Sequence, residues 1–259
     1  MNKETTMKFK HNIRAALLGS LVGLVGVPAQ SAALQEVSYA SLGAVTVSFN
    51  ELAAHPFDSA ALDGLLSSGG VQFGERFAGQ ELAVAKAPRP GEVAQDWFDD
   101  LGFGAPTAGL TLLAGATGAN LGAYHYGDAD GAALFGVGPL AEAADGFGAI
   151  SARFSAPVSA LGFQLRDADG GAITLQLYRT DGSLIEALDL SGRSSGHYAF
   201  ARLAGAADIA GFTLTNRDSY YGVSLDNLVL AAAPVPEPAS ALLALGGLLT
   251  LAAARRRAC

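Results

Sequence analysis

Hydrophobic side chains at every second position are the strongest constraint that this sequence places on its fold. In residues 161–165 and 173–177, leucine, isoleucine or phenylalanine alternates with polar or small residues. Successive side chains of a strand point to opposite faces, so this two-residue period predicts strands that are buried on one face. Long amphipathic helical repeats are missing from the sequence, and its 33 glycines indicate many turns. We therefore expect an all-β protein.

Asp-Gly pairs mark the turns of this region. Residues 169–171 (Asp-Gly-Gly) predict a hairpin between the runs 158–165 and 173–177. Residues 181–182 (Asp-Gly) predict a second hairpin, which leads to residues 184–190. Three more candidate strands follow around residues 198–200, 212–214 and 223–229. The second half of the chain is thus predicted to be an antiparallel meander.

The first half of the chain is less regular and richer in loops. Its candidate strands, separated by glycine-rich loops, are residues 44–49, 71–73, 82–87, 110–113 and 149–154. A short helix is predicted either within residues 91–101, where Val93, Trp97 and Phe98 have near-helical spacing, or at residues 139–144. Many short strands with frequent turn signals predict an antiparallel two-sheet sandwich of jelly-roll type.

The amino-terminal 33 residues have the parts of a secretory signal peptide. Basic residues come first, and an uncharged apolar run at residues 15–27 and several small residues follow them. A membrane span needs about 20 apolar residues, so this shorter run predicts a removable leader rather than a permanent anchor. Ser31 and Ala33 fit cleavage after Ala33, although residues 27–29 (Val-Pro-Ala) offer an earlier site.

The carboxyl-terminal residues have the pattern of a membrane anchor. Residues 239–254 are apolar, and Arg255, Arg256 and Arg257 follow them directly. As a helix this span would measure about 24 Å, somewhat less than a hydrocarbon core of roughly 30 Å, and extended arginine side chains can cover the difference. Because basic flanking residues stay on the cytoplasmic side, we expect the body, residues 34–233, to lie outside the inner membrane.

Directly before this span, the chain reads Val235, Pro236, Glu237 and Pro238. This motif, the apolar span and the terminal arginines together resemble the PEP-CTERM sorting signal, also known as the ice-binding-protein C-terminal domain. The resemblance covers residues 234–259. It implies recognition of the four motif residues by an exosortase, a membrane-embedded cysteine protease or transpeptidase of Gram-negative bacteria. It also implies association with exopolysaccharide or biofilm matrix.

The prolines of this motif have a physical consequence of their own. Each proline fixes its own φ and moves the preceding residue into extended geometry, so the segment is predicted to remain extended beside the membrane. An extended backbone suits a processing enzyme, and a stiff spacer before a tail anchor is the alternative. The predicted units are a signal peptide (1–33), an exported domain (34–233) and a sorting signal (234–259).

The body between these ends is acidic and lacks cysteine. Residues 34–233 contain 22 acidic and 9 basic side chains, a formal net charge of −13. This charge argues against nucleic-acid binding, because phosphates require basic patches. Cys259 is the sole cysteine, so the body has neither disulfides nor a thiol nucleophile. We expect an inner-membrane-anchored precursor with a periplasmic body, and a processed protein at the cell surface or outside the cell.

Short acidic stretches of the body offer carboxylates for a metal ion. Asp128 and Asp130 lie in an Asp-Ala-Asp-Gly stretch, and residues 167–170 repeat these four residues. Alternate aspartates can ligate Ca²⁺, but neither stretch completes an EF-hand, and turn chemistry is the alternative. Asp226, before Asn227, resembles an aspartate of secreted jelly-roll domains. That resemblance implies a structural Ca²⁺ shared with an early acidic residue, here Glu51, with a hydrogen bond to a loop backbone as the alternative.

Two kinds of enzyme signature are missing from the sequence. It contains no H-E-x-x-H and no phosphate-binding loop motif, and the histidines of the body lack ligand spacing. Tyr124 and Tyr126 are candidates for stacking on a sugar ring, with packing over a core edge as the alternative. The leading hypothesis is a noncatalytic surface or matrix protein. A Ca²⁺-supported carbohydrate-binding module is the first alternative, and a polysaccharide-acting enzyme with two carboxylates is the second.

Overall fold

The computed structural model describes residues 33–53, 55–86, 97–139, 146–203, 205–218 and 222–232. The predicted signal peptide before Ala33, the sorting motif 235–238, the span 239–254 and the three arginines after it lie outside these residues. Within the described residues the chain is all-β, with one short 3₁₀ turn, Tyr39–Ser41, and no α-helix. None of them forms a helix long and apolar enough to cross a membrane.

The described strands are arranged in several antiparallel sheets. In chain order they are β1 (Leu34–Glu36), β2 (Ser59–Leu62), β3 (Leu66–Ser68), β4 (Val71–Gly74), β5 (Arg76–Phe77), β6 (Glu81–Lys86), β7 (Trp97–Phe103), β8 (Leu112–Leu113), β9 (Leu121–His125), β10 (Ala132–Gly136), β11 (Ile150–Val158), β12 (Ala160–Asp169), β13 (Ala172–Tyr178), β14 (Leu184–Asp189), β15 (Ser194–Arg202), β16 (Ile209–Arg217) and β17 (Ser224–Ala231). A seven-stranded sheet has the order β1-β15-β12-β17-β10-β9-β2, and a six-stranded sheet has the order β14-β13-β16-β11-β4-β3. Two small sheets pair β5 with β8 and β6 with β7.

Side chains of the two large sheets belong to one hydrophobic core cluster. The alternating positions predicted from sequence are its centre: Leu161, Phe163 and Leu165 of β12 and Ile173, Leu175 and Leu177 of β13 are all members. Phe163 and Phe212 have no exposed surface. Burying one such side chain contributes about 1.5–3 kcal/mol of transfer free energy, so this cluster is the main source of stability. The predicted period is confirmed for both strands.

Most connections between strands of the second half cross from one large sheet to the other, whereas β13 and β14 lie in the same sheet. The connection at residues 169–171 was predicted to close a hairpin, and this prediction is wrong: β12 pairs with β15 and β17, whereas β13 pairs with β14 and β16. The chain does turn there, and Gly170 has a φ of 94°. It crosses to the other sheet because the apolar faces of β12 and β13 are buried in the same core.

The second predicted hairpin is confirmed. Strand β13 pairs with β14 in antiparallel register, with Leu177 opposite Glu186. Gly182, in the turn, has a φ of 84° and lies so close to the carbonyl oxygen of Pro106 that a Cβ atom would come within 2.1 Å of it. Left-handed backbone and close approach together require glycine at this position.

Several predictions for the first half are corrected. Residues 97–101, part of the predicted helix, lie in β7, which pairs with β6, while residues 91–96 and 140–144 lie outside the described residues. The predicted strand at residues 44–49 is reduced to a single bridge between Val47 and Leu228. Strands β9 and β10 were missed because their sequences, LGAYH and AALFG, contain small residues where an alternating pattern would require large ones.

The first described strand begins, and the last one ends, at the same end of the seven-stranded sheet. Leu34 of β1 is opposite Arg202 of β15, and Ala160 of β12 is opposite both Ala201 and Ala231. Strand β12 then runs away from this end towards Arg166, a distance of about 20 Å at 3.3 Å per residue. The candidate site described next therefore lies well away from the end at which the described chain begins and ends.

Candidate functional site

A buried arginine, Arg166, is at the centre of the most polar region of the seven-stranded sheet. Its neighbour Leu165 points into the hydrophobic core, so the side chain of Arg166 lies on the opposite, outer face. The pairing of β12 with β15 shifts register between Leu165 and Asp169, and Asp167 has a φ of 59°. This bulge directs Arg166 and Asp167 towards the same set of partners. Arg166 is only 8% exposed.

The guanidinium of Arg166 contacts two carboxylates and one aromatic ring. Its Nη1 donates to Oδ1 of Asp128 at 3.3 Å, and its Nη2 donates to the other oxygen of that carboxylate. Oδ2 of Asp226 is 3.5 Å from Nη1. The Cζ atom lies 3.9 Å from the centroid of the Tyr126 ring, which is cation–π distance. We call Arg166, Tyr126, Asp128, Asp167, Ser224 and Asp226 the Arg166 cluster.

Asp226 is the buried acid of the Arg166 cluster. It has no exposed surface, and its Oδ1 accepts a hydrogen bond from the backbone N–H of Asn227 at 2.6 Å. Burial disfavours the charged form and raises the pKa of Asp226 to about 7, against the opposing effects of the Asn227 N–H and of Arg166. The carboxyl group therefore exchanges a proton near neutral pH. Asp128 differs, since its bond from Arg166 lowers the pKa of that half-exposed carboxyl.

Tyr126 joins the cluster through its hydroxyl as well as its ring. The hydroxyl donates to Oδ2 of Asp167 and lies 3.0 Å from Oγ of Ser224. Burial and the nearby Asp167 both raise the pKa of Tyr126, so it remains a neutral donor throughout the ordinary pH range. Burial likewise raises the pKa of Asp167, which the Tyr126 hydrogen bond opposes. The polar atoms of Tyr126 are thus committed to partners inside the protein.

A row of amide and carboxylate groups continues the polar surface beside the cluster. Gln164 donates from Nε2 to Asp130 at 3.1 Å and accepts from Nδ2 of Asn227 at 2.7 Å. The hydroxyl of Tyr39 donates to the carbonyl oxygen of Asn227 at 2.5 Å. Asn227 has a φ of 47°, where the register of β17 against β12 shifts. An asparagine tolerates this left-handed conformation better than a branched residue would.

The loop that carries Asp128 and Asp130 is shaped by local hydrogen bonds. Tyr126 N–H donates to the Gly131 carbonyl at 2.9 Å, and Gly131 N–H donates to Oδ1 of Asp128 at 3.1 Å. Gly131 has a φ of 80°, and a Cβ atom there would lie 2.0 Å from the Asn50 side chain. Glycine is therefore required at this position. The turn that it permits keeps the β9–β10 connection short, and hydrogen bonds to Arg166 and Gln164 hold Asp128 and Asp130 over the outer face of β12.

The structure places the predicted metal ligands in two groups. Asp128, Asp130 and Asp226 come together on the outer face, where the guanidinium of Arg166 lies between Asp128 and Asp226. Glu51 instead accepts a hydrogen bond from the Ser68 hydroxyl. Across the ranges that the structure describes, no three aspartate, glutamate, histidine or cysteine side chains are grouped closely enough to hold a metal ion. Calcium binding stays a prediction.

The two predicted sugar-stacking tyrosines pack against each other. Their ring centroids are 5.1 Å apart and the rings are nearly perpendicular, at 86°. Arg166 covers one face of Tyr126, so Tyr124, which is half-buried, is the better placed of the two for an external ring. What the exposed part of this region offers to a ligand is therefore Tyr124 together with the carboxylates of Asp128 and Asp130.

Sequence reasoning missed the residue on which this site is built. Arg166 interrupts the acidic and apolar sequence of residues 160–169 at a position where alternation alone predicts a solvent-facing side chain. Burial of that outer-face position comes from the β9–β10 loop and from Tyr126, which are about 40 residues away in sequence. The one sequence signal that could have identified it is the presence of an arginine within an acidic, strand-forming segment.

No protein-family model matches this chain, and no curated protein sequence matches it.

Proposed function

We propose that this chain is an exported cell-surface or extracellular-matrix protein with a noncatalytic β body. A signal peptide exports it, its carboxyl-terminal span anchors it, and an exosortase-like enzyme processes it at the sorting motif. The observation that carries this proposal is the order of features at the end of the chain: Val-Pro-Glu-Pro at 235–238, an apolar run at 239–254 and three arginines at 255–257.

The architecture of the body supports an extracellular role. We assign it as a two-sheet sandwich of jelly-roll type, because the two large sheets contribute to one core and the chain crosses between them repeatedly from β11 to β17, with β13 and β14 in the same sheet. A body of this kind needs neither disulfides nor a cofactor for its core. Its acidic surface favours solubility outside the cell.

The positions of the first and last strands also suit a tethered protein. Leu34 and Ala231 lie at the same end of the seven-stranded sheet, next to the segments assigned to export and anchoring. With the tail held in a membrane at that end, the Arg166 cluster would be displayed at a distance of about 20 Å along β12. The cluster is thus positioned to face the surroundings of the cell.

The sorting part is tested by replacing Pro236, Glu237 and Pro238 together with alanine in the full chain, expressed in a Gram-negative host that has an exosortase. We expect the variant to accumulate as a longer, membrane-retained form, while the wild type is shortened and released. Pro234→Ala, just outside the motif, is the matched control and should be processed normally. Unchanged processing of the triple variant would refute the assignment.

Carbohydrate binding is the second candidate function, and the outer face of the seven-stranded sheet favours it. The exposed carboxylate of Asp130 accepts a hydrogen bond from the amide of Gln164, the half-exposed carboxylate of Asp128 is bound by Arg166, and the half-buried ring of Tyr124 packs on Tyr126. Planar polar groups next to an aromatic ring are the chemistry that binds sugar hydroxyls and sugar faces. The ligand would be the exopolysaccharide of the host, with or without Ca²⁺.

Calorimetric titration of the exported protein with Ca²⁺ and with that polysaccharide tests this candidate. We expect heat from the polysaccharide that is lost in a Tyr124→Ala, Asp130→Ala variant and kept in Glu81→Ala, a change at an exposed site on β6. No heat and no rise in melting temperature would remove the binding function. Release of reducing sugar, abolished by a single carboxylate substitution, would indicate an enzyme instead.

A further inference from the structure

The backbone nitrogen of Leu34 lies 3.0 Å from Oε2 of Glu186. Leu34 is also the residue that would become the amino terminus if the signal peptide were removed after Ala33. We infer that Glu186 is the binding site for the α-ammonium group of the mature chain. This inference rests on the export step of the proposed function, and it assigns a role in the processed protein to a side chain far from the Arg166 cluster.

Both partners are held in place by secondary structure. Leu34 is only 5% exposed, belongs to the hydrophobic core and is opposite Arg202 in the ladder between β1 and β15. Glu186 is half-buried on β14, opposite Leu177. Strand β1 is the edge of the seven-stranded sheet and β14 is the edge of the six-stranded sheet. The contact therefore joins the edges of the two sheets.

Cleavage would strengthen this contact. Hydrolysis breaks the bond between the carbonyl carbon of Ala33 and the nitrogen of Leu34. Water supplies the oxygen that completes the Ala33 carboxylate, and its two hydrogens convert the N–H of Leu34 into an ammonium group. An α-amino group with a pKa of about 7.7–8.0 is then mostly charged at neutral pH. A neutral amide donor becomes a cation beside a carboxylate, and such charge-assisted hydrogen bonds are roughly twice as strong.

The other charged groups near this position are already paired. The Ala33 carbonyl, which would leave with the signal peptide, accepts from Nη1 of Arg202 at 2.7 Å and from the Leu203 N–H at 3.3 Å. After cleavage Arg202 would still have Asp208 as its partner, to which it donates from Nε at 2.7 Å and from Nη2 at 3.2 Å. Asp208 also accepts a hydrogen bond from Nε of Arg179 at 2.9 Å. Since Asp208 is shared by these two arginines and is already occupied, Glu186 on β14 is the carboxylate in contact with the new cation.

The experiment uses the full chain, exported in a Gram-negative host and recovered after signal removal. Mass spectrometry of the amino-terminal peptide should find Leu34 as the first residue. Thermal unfolding is then compared over pH 4–10 for the wild type, Glu186→Gln and the control Glu81→Gln. We expect Glu186→Gln to lower Tm by about 2–4 °C at pH 7, and Glu81→Gln to leave it unchanged.

The pH range of this effect distinguishes an ammonium from an amide. In the folded protein the carboxylate of Glu186 raises the pKa of the α-ammonium group above its ordinary value of about 8. The stabilisation from this pair is therefore complete below about pH 8 and is lost as pH rises through the higher folded-state pKa. The difference between wild type and Glu186→Gln should therefore shrink by pH 10. A difference that stays constant between pH 7 and pH 10 would overturn the inference.

A measurement without substitution covers the case in which Glu186→Gln does not fold. An amine-reactive label should modify Leu34 at pH 7.5 at least about tenfold more slowly in the folded wild type than in urea, because the ammonium is protonated and buried. Equal labelling rates would contradict binding by Glu186. A mature chain starting at Gln30 would defeat this inference but leave export intact, whereas a chain that stays uncleaved in the cytosol would defeat the export proposal itself.

Discussion

Two arginines towards opposite ends of the seven-stranded sheet bind carboxylates under different degrees of burial. Arg166 lies between the half-exposed Asp128 and the fully buried Asp226, whereas Arg202 binds the partly exposed Asp208 with two nitrogens. The pKa of Asp226 is raised to about 7 even though a guanidinium is 3.5 Å away. At Asp226, loss of water outweighs a nearby cation in setting the protonation state of the carboxyl group.

The two sites also differ in how they are assembled. Arg179, Arg202 and Asp208 lie within 30 residues of one another and meet through strand ends of neighbouring sequence. The Arg166 cluster collects a loop after β9, the end of β12 and the start of β17, which are 38 to 98 residues apart. Because the Asp208 side chain is 28% exposed and that of Arg179 is 37% exposed, the first should behave as a partly solvated ion pair, and the second as a buried network whose members depend on one another.

The largest effect is expected from Arg166→Met. At pH 8 this change leaves a buried, charged Asp226 without its cation and should lower the free energy of unfolding by about 3 kcal/mol. At pH 5.5 Asp226 is mostly protonated, so the loss should fall to about 1 kcal/mol. Urea unfolding of the exported protein at both pH values measures this difference. Arg153→Met, at a site where the partner is the neutral Gln72, is the control, and its effect should not change with pH.

Asp226→Asn should have the next largest effect, in the stabilising direction. The folded-state pKa of Asp226 lies above the ordinary value, so this carboxyl favours folding fully below about pH 4 and loses that contribution as pH rises through about 7. A neutral amide avoids the loss. The variant should be more stable than wild type by roughly 1–3 kcal/mol at pH 8, and the two should converge at pH 4. Equal stability at pH 8 would mean that Asp226 is not costly to ionise.

Tyr126→Phe should have a smaller effect, because it removes a hydroxyl and keeps the ring under Arg166. The lost hydrogen bonds to Asp167 and Ser224 should lower the free energy of unfolding by about 1 kcal/mol. Tyr124→Phe, on the adjacent ring, is the matched control and should change stability by less than about 0.5 kcal/mol. If the two variants lost equal stability in urea unfolding, the hydroxyl of Tyr126 would have no special role in the cluster.

The smallest effect is expected at the other arginine. Asp208→Asn weakens the pairs with Arg179 and Arg202 in a partly exposed setting, so the loss should be about 0.5–1 kcal/mol at low salt. Because solvated ion pairs are screened, 0.5 M NaCl should remove most of this difference, whereas the effect of Arg166→Met at pH 8 should persist. An Asp208→Asn effect as large as that of Arg166→Met, and insensitive to salt, would erase the contrast between the two sites.

Strand prediction succeeded where large apolar side chains alternate and failed where they do not. Strands β13 and β14 and the hairpin between them were predicted, because Leu175 and Leu177 mark one face and Gly182 permits the turn. Strands β9 and β10 are built largely from glycine and alanine, which carry little periodic signal. Pairing was harder still, since alternation identifies the buried face of a strand but not the sheet that contains it.

The structure groups the carboxylates of the candidate site differently from the sequence analysis. Asp128 and Asp130 were selected as one possible calcium site and Asp226 with Glu51 as another, whereas the structure brings Asp128, Asp130 and Asp226 to one face and leaves Glu51 hydrogen-bonded to Ser68. The side chain between Asp128 and Asp226, Arg166, was not selected, because its partners are brought to it by a loop and a strand remote in sequence. A charge on the outer face of a strand is ordinarily solvated, and nothing local in the sequence indicates that a loop covers this one.

By itself, the amino-acid sequence determined the features that depend on composition and local order: an all-β body, the acidic charge, the absence of body cysteines and the apolar segments at both ends that underlie the sorting hypothesis. The tertiary structure decided which sheet each strand joins, that Arg166 and Asp226 are buried together, and that Leu34 meets Glu186. The physical reason is the separation along the chain over which each effect acts. Periodicity and turn chemistry act over a few residues, whereas pairing, desolvation and pKa depend on groups that only folding brings into contact.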